Sequence, residues 1–268
     1  MDVRKTYKLF VNGEFVRSES GRAYRPDGSV NVPRGSRKDL RDAVRAARTA
    51  FPGWAARTAM NRGQILYRAA EMLDSRGAQF AELLGGGAKA RRELDQAVEA
   101  LVWYAGWTDK LPQVAGTVNP VAGPYFNFTL PEPTGVVGIV APEEPSLVGL
   151  VRRLAPALCG GNVVVALAPE SRPLPALTLA EVFATSDFPA GVVNVLSGQR
   201  GELLPWLAAH MDVNAIDVAG CTPEEMIAAE AAAADNVKRV IKVAPDEASP
   251  YLITAFMEMK TVWHPIGV

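Results

Sequence analysis

A five-stranded parallel α/β sheet covered by helices on both faces is the fold class this sequence predicts. Two observations carry the prediction. Short runs of residues apolar on both faces, Val136–Val140, Val163–Leu167, Val192–Leu196, Ala215–Val218 and Val237–Val243, recur in the second half of the chain. Between them lie segments with helical periodicity, about Leu147–Cys159, Pro173–Phe183, Glu202–His210 and Pro223–Ala233. Strands without a polar face must be covered twice, and alternation with helices makes them parallel.

Ahead of that unit, Leu9 to Val16 reads as a hairpin, with Asn12-Gly13 supplying the positive φ angles of a two-residue turn. Ser36 and Asp39 have capping-box spacing, and Leu40, Val44, Ala47 and Phe51 then share one helix face. Two further helices are expected over about Arg62–Leu84 and Ala90–Asp109. Gly85-Gly86-Gly87 between them has no preceding strand and no following Lys-Ser or Lys-Thr, so an interhelical loop is expected rather than a phosphate loop. Tyr125 to Leu130 alternates as a strand, with Pro131 and Pro133 expected to end it. After Val243-Ala244-Pro245 the chain passes in ten residues to a last strand, Ala255 to Trp263. Met257, Met259 and Trp263 lie on one face of that strand, with Glu258 and Lys260 on the other. The resulting division is 1–134 for N-terminal helices and hairpin, 135–243 for the Rossmann-like unit, and 244–268 for linker and final strand.

Composition narrows the partners. The 268 residues are 49% hydrophobic and carry a net charge of -1, so no electrostatic attraction to nucleic acid or an anionic membrane is expected. That length buries a substantial core. Cys159 and Cys221 are far apart, and with His210 and His264 as the two histidines no metal-ligand spacing arises. No long apolar run follows Met1-Asp2-Val3-Arg4-Lys5, which leads to the expectation of a cytoplasmic, reducing location.

Five stretches in order carry a family resemblance: Phe51 to Trp54, Glu132 to Pro142, Leu154 to Asn162, Pro189 to Gly198, and Lys260 to Trp263. Together they resemble the NAD-dependent aldehyde dehydrogenase superfamily, and are similar to the degenerate second domain of its two-domain members. The start methionine and family-like last strand give the expectation of a complete product from which the nucleophile's segment is missing.

The resemblance implies a thiolate nucleophile, an amide oxyanion donor, a glutamate base and bound NAD. It also implies that each is altered here. Glu144 stands at the oxyanion asparagine, and a carboxylate donates no hydrogen bond. Val243 stands at the base. Ala168 and Ser171 stand at the ribose-contacting lysine and glutamate, although Glu170 could supply a carboxylate from one position earlier. The loop with Gly198 and Gly201 lacks a later glycine, and Val218-Ala219-Gly220-Cys221 replaces a Phe-Thr-Gly-Ser turn. Gly220 keeps that turn, so the following helix N-terminus could still attract an anion. Cys159 reads as a buried small residue. Cys221, at a helix start, reads as a small residue too, with a dipole-activated thiol as the alternative. No catalytic, cofactor or metal residue is therefore assigned, and weak NAD(P) binding is the most this site could offer.

The resemblance further implies that Tyr125–Leu130 and Ala255–Trp263 form a small sheet that joins subunits. The expected function is a catalytically degenerate subunit that partners itself, a catalytic aldehyde dehydrogenase, or both. The alternative is an NAD(P)-dependent oxidoreductase or nucleotide-binding protein with a relocated site.

Overall fold

The computed structural model describes residues 5–26, 28, 30–242 and 248–267. Its elements run β1 (Leu9–Val11), β2 (Glu14–Val16), β3 (Ala23–Tyr24), β4 (Val32–Pro33), α1 (Arg37–Ala55), α2 (Ala59–Ser75), α3 (Gly77–Leu83), α4 (Gly87–Ala105) and α5 (Leu111–Ala115). They continue with β5 (Thr117–Asn119), β6 (Tyr125–Pro133), β7 (Val136–Val140), α6 (Val148–Cys159), β8 (Val163–Leu167), α7 (Leu174–Ala184), β9 (Val193–Leu196) and α8 (Arg200–Ala209). The last are β10 (Ala215–Asp217), α9 (Pro223–Ala233), β11 (Arg239–Ile241), α10 (Pro250–Ala255) and β12 (Met257–Pro265).

The five apolar runs form the parallel sheet, in the order β11-β10-β7-β8-β9. The sheet is larger than the sequence suggested. The β1–β2 hairpin joins its far edge antiparallel, Phe10 opposite Val195, making seven strands. A side chain fixes that docking: Asn194 Oδ1 accepts the Asn12 amide at 3.0 Å, while its Nδ2 donates to the Val164 and Gly191 carbonyls. Strand order reverses between the β7–β8–β9 crossovers and the return to β10. Right-handed connections therefore put α6 and α7 on one face and α8 and α9 on the other. Helix α1 joins the α8 side, and α2 and α4 pack outside α6. Its capping box forms as expected, Ser36 Oγ accepting from the Asp39 amide and Asp39 Oδ2 from the Ser36 amide.

Several boundaries moved. The stretch from Arg62 to Leu84 is two helices, broken at Arg76, and the glycine triplet after it is an exposed interhelical loop as expected. Strand β6 runs through Pro131 and Pro133 instead of ending before them. Those residues need no donor, because β5 pairs only with Asn127 to Thr129 and leaves that side of β6 open beyond it. A short helix, α10, precedes the last strand, which starts at Met257 and reaches Pro265. Val243, expected at the base position, lies outside the described residues.

Candidate functional site

The two ends of the parallel strands are built differently. At the amino ends, asparagine side chains tie each strand to its neighbours. Asn162 Oδ1 accepts from the Gly135 amide (2.9 Å) and Thr134 Oγ1 (3.0 Å), and its Nδ2 donates to the Ala157 and Phe256 carbonyls. Asn214 Oδ1 accepts the Val136 amide and Arg48 Nη2. Asn236 Nδ2 donates to the Met211 and Val213 carbonyls. Gly135 shows how tight this end is. Its φ is 132°, and a Cβ there would lie 2.3 Å from Asn214 Oδ1.

In open α/β sheets ligands lie at the carboxyl ends of the strands, where strand order reverses. Here that crevice, about 580 Å³, is lined by Tyr24, Glu143, Glu170, Ser171, Arg200 and Glu225 among others. A single ionic network occupies it. Glu143, after β7, accepts from the Glu170 amide (3.0 Å), the Ser171 amide (2.9 Å) and the Ser171 hydroxyl (2.5 Å). It also accepts from the Arg200 guanidinium. Arg200 further donates to the Gly220 carbonyl at 2.9 Å and Glu225 at 3.4 Å. One arginine, only 12% exposed at its side chain, thereby bridges the loops after β7, β9 and β10. Burial alone would raise the Glu143 pKa. The Ser171 hydroxyl, the two amides and Arg200 outweigh it and hold the carboxyl below its ordinary value.

The helix N-termini facing the crevice are already satisfied. Glu170 Oε2 accepts the first amide of α8, that of Arg200, at 2.7 Å. Thr222 and Glu225 cap α9 reciprocally. The anion-attracting ends thus hold the chain's own carboxylates. Gly220 is packed so that a Cβ would lie 2.3 Å from the Val140 carbonyl oxygen, which leaves no gap between β7 and the β10 turn.

The residues singled out from sequence fall here as follows. Ala168 is buried against the sheet, with its amide on the Leu196 carbonyl, and brings no cation. Ser171 is turned onto Glu143. Glu170 is engaged by α8. Glu144 pairs with Arg172 at 2.6 Å. Gly198 packs on Gly35, at the closure of the β9 turn. A dinucleotide's two phosphates would have to displace the Arg200–Glu143 and Arg200–Glu170 contacts among three glutamates. These residues do not fit that group.

The thiols stand apart from this network in character. Burial pushes Cys159 up to about 12, and burial with Glu225 nearby pushes half-buried Cys221 up to about 12, with Arg200 opposing. The helix start does not activate Cys221. Among the described residues no three His, Cys, Asp or Glu side chains are grouped to hold a metal ion. No helix among them is long and apolar enough to cross a membrane.

Sequence reasoning missed two pairings. Arg200, between Gly198 and Gly201, was assigned no role, and its partners lie as far as 57 positions away. Arg153 of α6 and Asp217 of β10 form a buried pair at 2.9–3.0 Å. Burial raises the Asp217 pKa, with Arg153 pulling against it. An aspartate closing an apolar strand was the available signal for that pair.

Comparison with known proteins now places the chain. The model of the aldehyde dehydrogenase family matches residues 22–244. Aldehyde dehydrogenase, cytosolic 1, of Elephantulus edwardii is 34% identical over 248 residues, covering 87% of this chain and 49% of its own length. Retinal dehydrogenase 2 of Mus musculus is 35% identical, with 88% and 48% covered. The solved NAD+ complex of aldehyde dehydrogenase from Bacillus cereus superposes with a TM-score of 0.81 at 28% identity, covering 88% of this chain and 50% of that one. The chain spans about half the length of the curated relatives it matches, and by that match it belongs to the aldehyde dehydrogenase family.

Proposed function

We propose that this chain is a non-catalytic, aldehyde-dehydrogenase-like subunit whose role is assembly, with itself or with a catalytic aldehyde dehydrogenase. The observation that carries the reading is the Arg200–Glu143–Glu170–Ser171 network in the crevice where a dinucleotide would lie. Three further features support it. Glu144 takes the place of an oxyanion donor and is neutralised by Arg172. Both thiols stay protonated at neutral pH. The small β5–β6–β12 sheet, which the ionic network does not involve, projects apolar side chains into solvent.

Loss of one oxyanion donor reduces turnover by about 10²- to 10³-fold, and loss of a nucleophile by far more. The test is twofold. Purified chain is assayed for NAD and NADP reduction with simple aldehydes, and is mixed with the host's catalytic aldehyde dehydrogenase for light scattering. The reading expects no turnover and a mass above the monomer in at least one of the two samples. Turnover abolished by Cys221→Ser would refute it, as would a monomer that ignores the catalytic enzyme.

A further inference from the structure

Two short helices leave a hollow at the start of the last strand. Helix α10 buries Leu252 and Ile253, so Tyr251 and Thr254, three apart, turn outward together. Helix α5 buries Leu111 and leaves Val114 65% exposed. Met257, the first residue of β12, is drawn inward, its sulfur resting where Gly160 has no side chain.

The hollow between α5, α10 and β12 measures about 680 Å³, and its lining includes Trp107, Leu111, Val114, Tyr251, Met257 and Met259. Small-molecule sites of roughly 300–1,000 Å³ have this character, mostly apolar with a few polar groups that converge. Among the described residues it shares none with the charged crevice. It adjoins β11 at the opposite, amino end of the sheet, through Arg239.

The polar groups converge where α10 passes into β12. Arg239 donates through Nη1 to the Ala255 carbonyl (3.3 Å) and through Nη2 to Glu258 (2.9 Å). Those bonds use two of its five N–H groups among the described residues. The Arg239–Glu258 pair is 36% and 46% exposed, and such pairs contribute little. Arg239 keeps a second anchor in the Ala255 carbonyl, whereas the Glu258 side chain has no other partner among the described residues. A competing carboxylate therefore displaces Glu258 and leaves Arg239 in place. The body such a molecule needs is set by the other walls. Two rings, Trp107 and Tyr251, and two thioethers, Met257 and Met259, favour an aromatic group, because sulfur and ring faces pack well.

We infer that this hollow is a binding site for a small aryl-alkyl carboxylic acid, its ring among Trp107, Tyr251 and the two methionines and its carboxylate on Arg239. Charge complementarity selects the head. An ammonium would have to sit beside the guanidinium, and a neutral group would forgo the charge-assisted bond. Neither the crevice nor the assembly of subunits enters into it.

The experiment is titration of the isotope-labelled full chain with 4-phenylbutyrate, beside 4-phenylbutanol and 4-phenylbutylamine, followed by the tryptophan indole signals in nuclear magnetic resonance spectra. The acid is expected to shift the Trp107 signal with a dissociation constant below about 1 mM, and the alcohol and amine to bind at least about tenfold more weakly. Val114→Trp fills the hollow from an exposed position and is expected to weaken the acid at least about tenfold. Arg239→Gln should erase the preference for acid over alcohol. Glu258→Gln removes the competitor and should tighten the acid by about threefold, a gain that damage to the fold does not produce. Absence of acid binding at about 1 mM, or binding unmoved by Val114→Trp, overturns the inference. So does an acid-over-alcohol preference that survives Arg239→Gln.

Discussion

The amino and carboxyl ends of the parallel strands make the sharpest contrast in this molecule. At the amino ends, buried Asn162 and Asn194 spend their side-chain hydrogen bonds on neighbouring segments, all on backbone groups except the Thr134 hydroxyl. At the carboxyl ends, partly exposed glutamates and arginines satisfy one another across a crevice. The first set holds the sheet together. The second fills the crevice where strand order reverses, the usual ligand position of open α/β sheets. Fold and ligand site thus reside in separable residues, and a chain can preserve one while replacing the other. The stretches that carry the family resemblance include those amino-end joints, so resemblance here reports architecture more than chemistry.

Substitution should expose this contrast directly. Asn162→Ala takes the partner from the Gly135 amide in the interior and removes one of the bonds made by the Thr134 hydroxyl and by the Ala157 and Phe256 carbonyls. It should lower stability on the order of 3 kcal/mol, read as a shift of the urea midpoint at unchanged slope. Arg200→Ala removes contacts at a wetter site, and should lower stability by about 1 kcal/mol or less. Equal losses at the two positions would dissolve the contrast.

A smaller effect concerns Lys238, at the amino end of β11. Burial lowers its pKa from 10.5 to about 8, and Asp235 only partly opposes the shift. Between those values the unfolded chain binds more protons than the folded one, so stability should rise with pH from about 8 upward. Lys238→Met should flatten that rise in denaturation curves taken between pH 7.5 and 9.5. A rise of the same slope in the variant would assign it to another group.

How much of this was legible beforehand follows from the range of each interaction. Val136–Val140 and Val163–Leu167 were read to the residue, because strands buried on both faces have no polar positions to blur the pattern. The Ser36 cap was local and equally plain. Docking of the β1–β2 hairpin was not, since it hangs on Asn194 reaching Asn12 across 182 positions. Helix α10 was missed because Pro250–Ala255 is too short to show a period and rich in strand-favouring residues. At the candidate site, the resemblance implies departures from the family position by position. The network that forms there was not legible, because Glu143, Glu170 and Arg200 come from loops after three different strands. Cys221 was open to two readings until its burial, and after it the nearby Glu225, were in place.

The central claim is that the chain's own charges occupy the dinucleotide crevice. Isothermal titration of the full chain with NAD and with NADH tests it most directly. Displacing the Arg200 contacts, without a cation at position 168 or a free carboxylate at 171, should keep the dissociation constant about 10²-fold or more above the low-micromolar range. A low-micromolar constant for either nucleotide would contradict the account, and its abolition by Arg200→Ala would show the arginine to be a ligand contact instead of a plug.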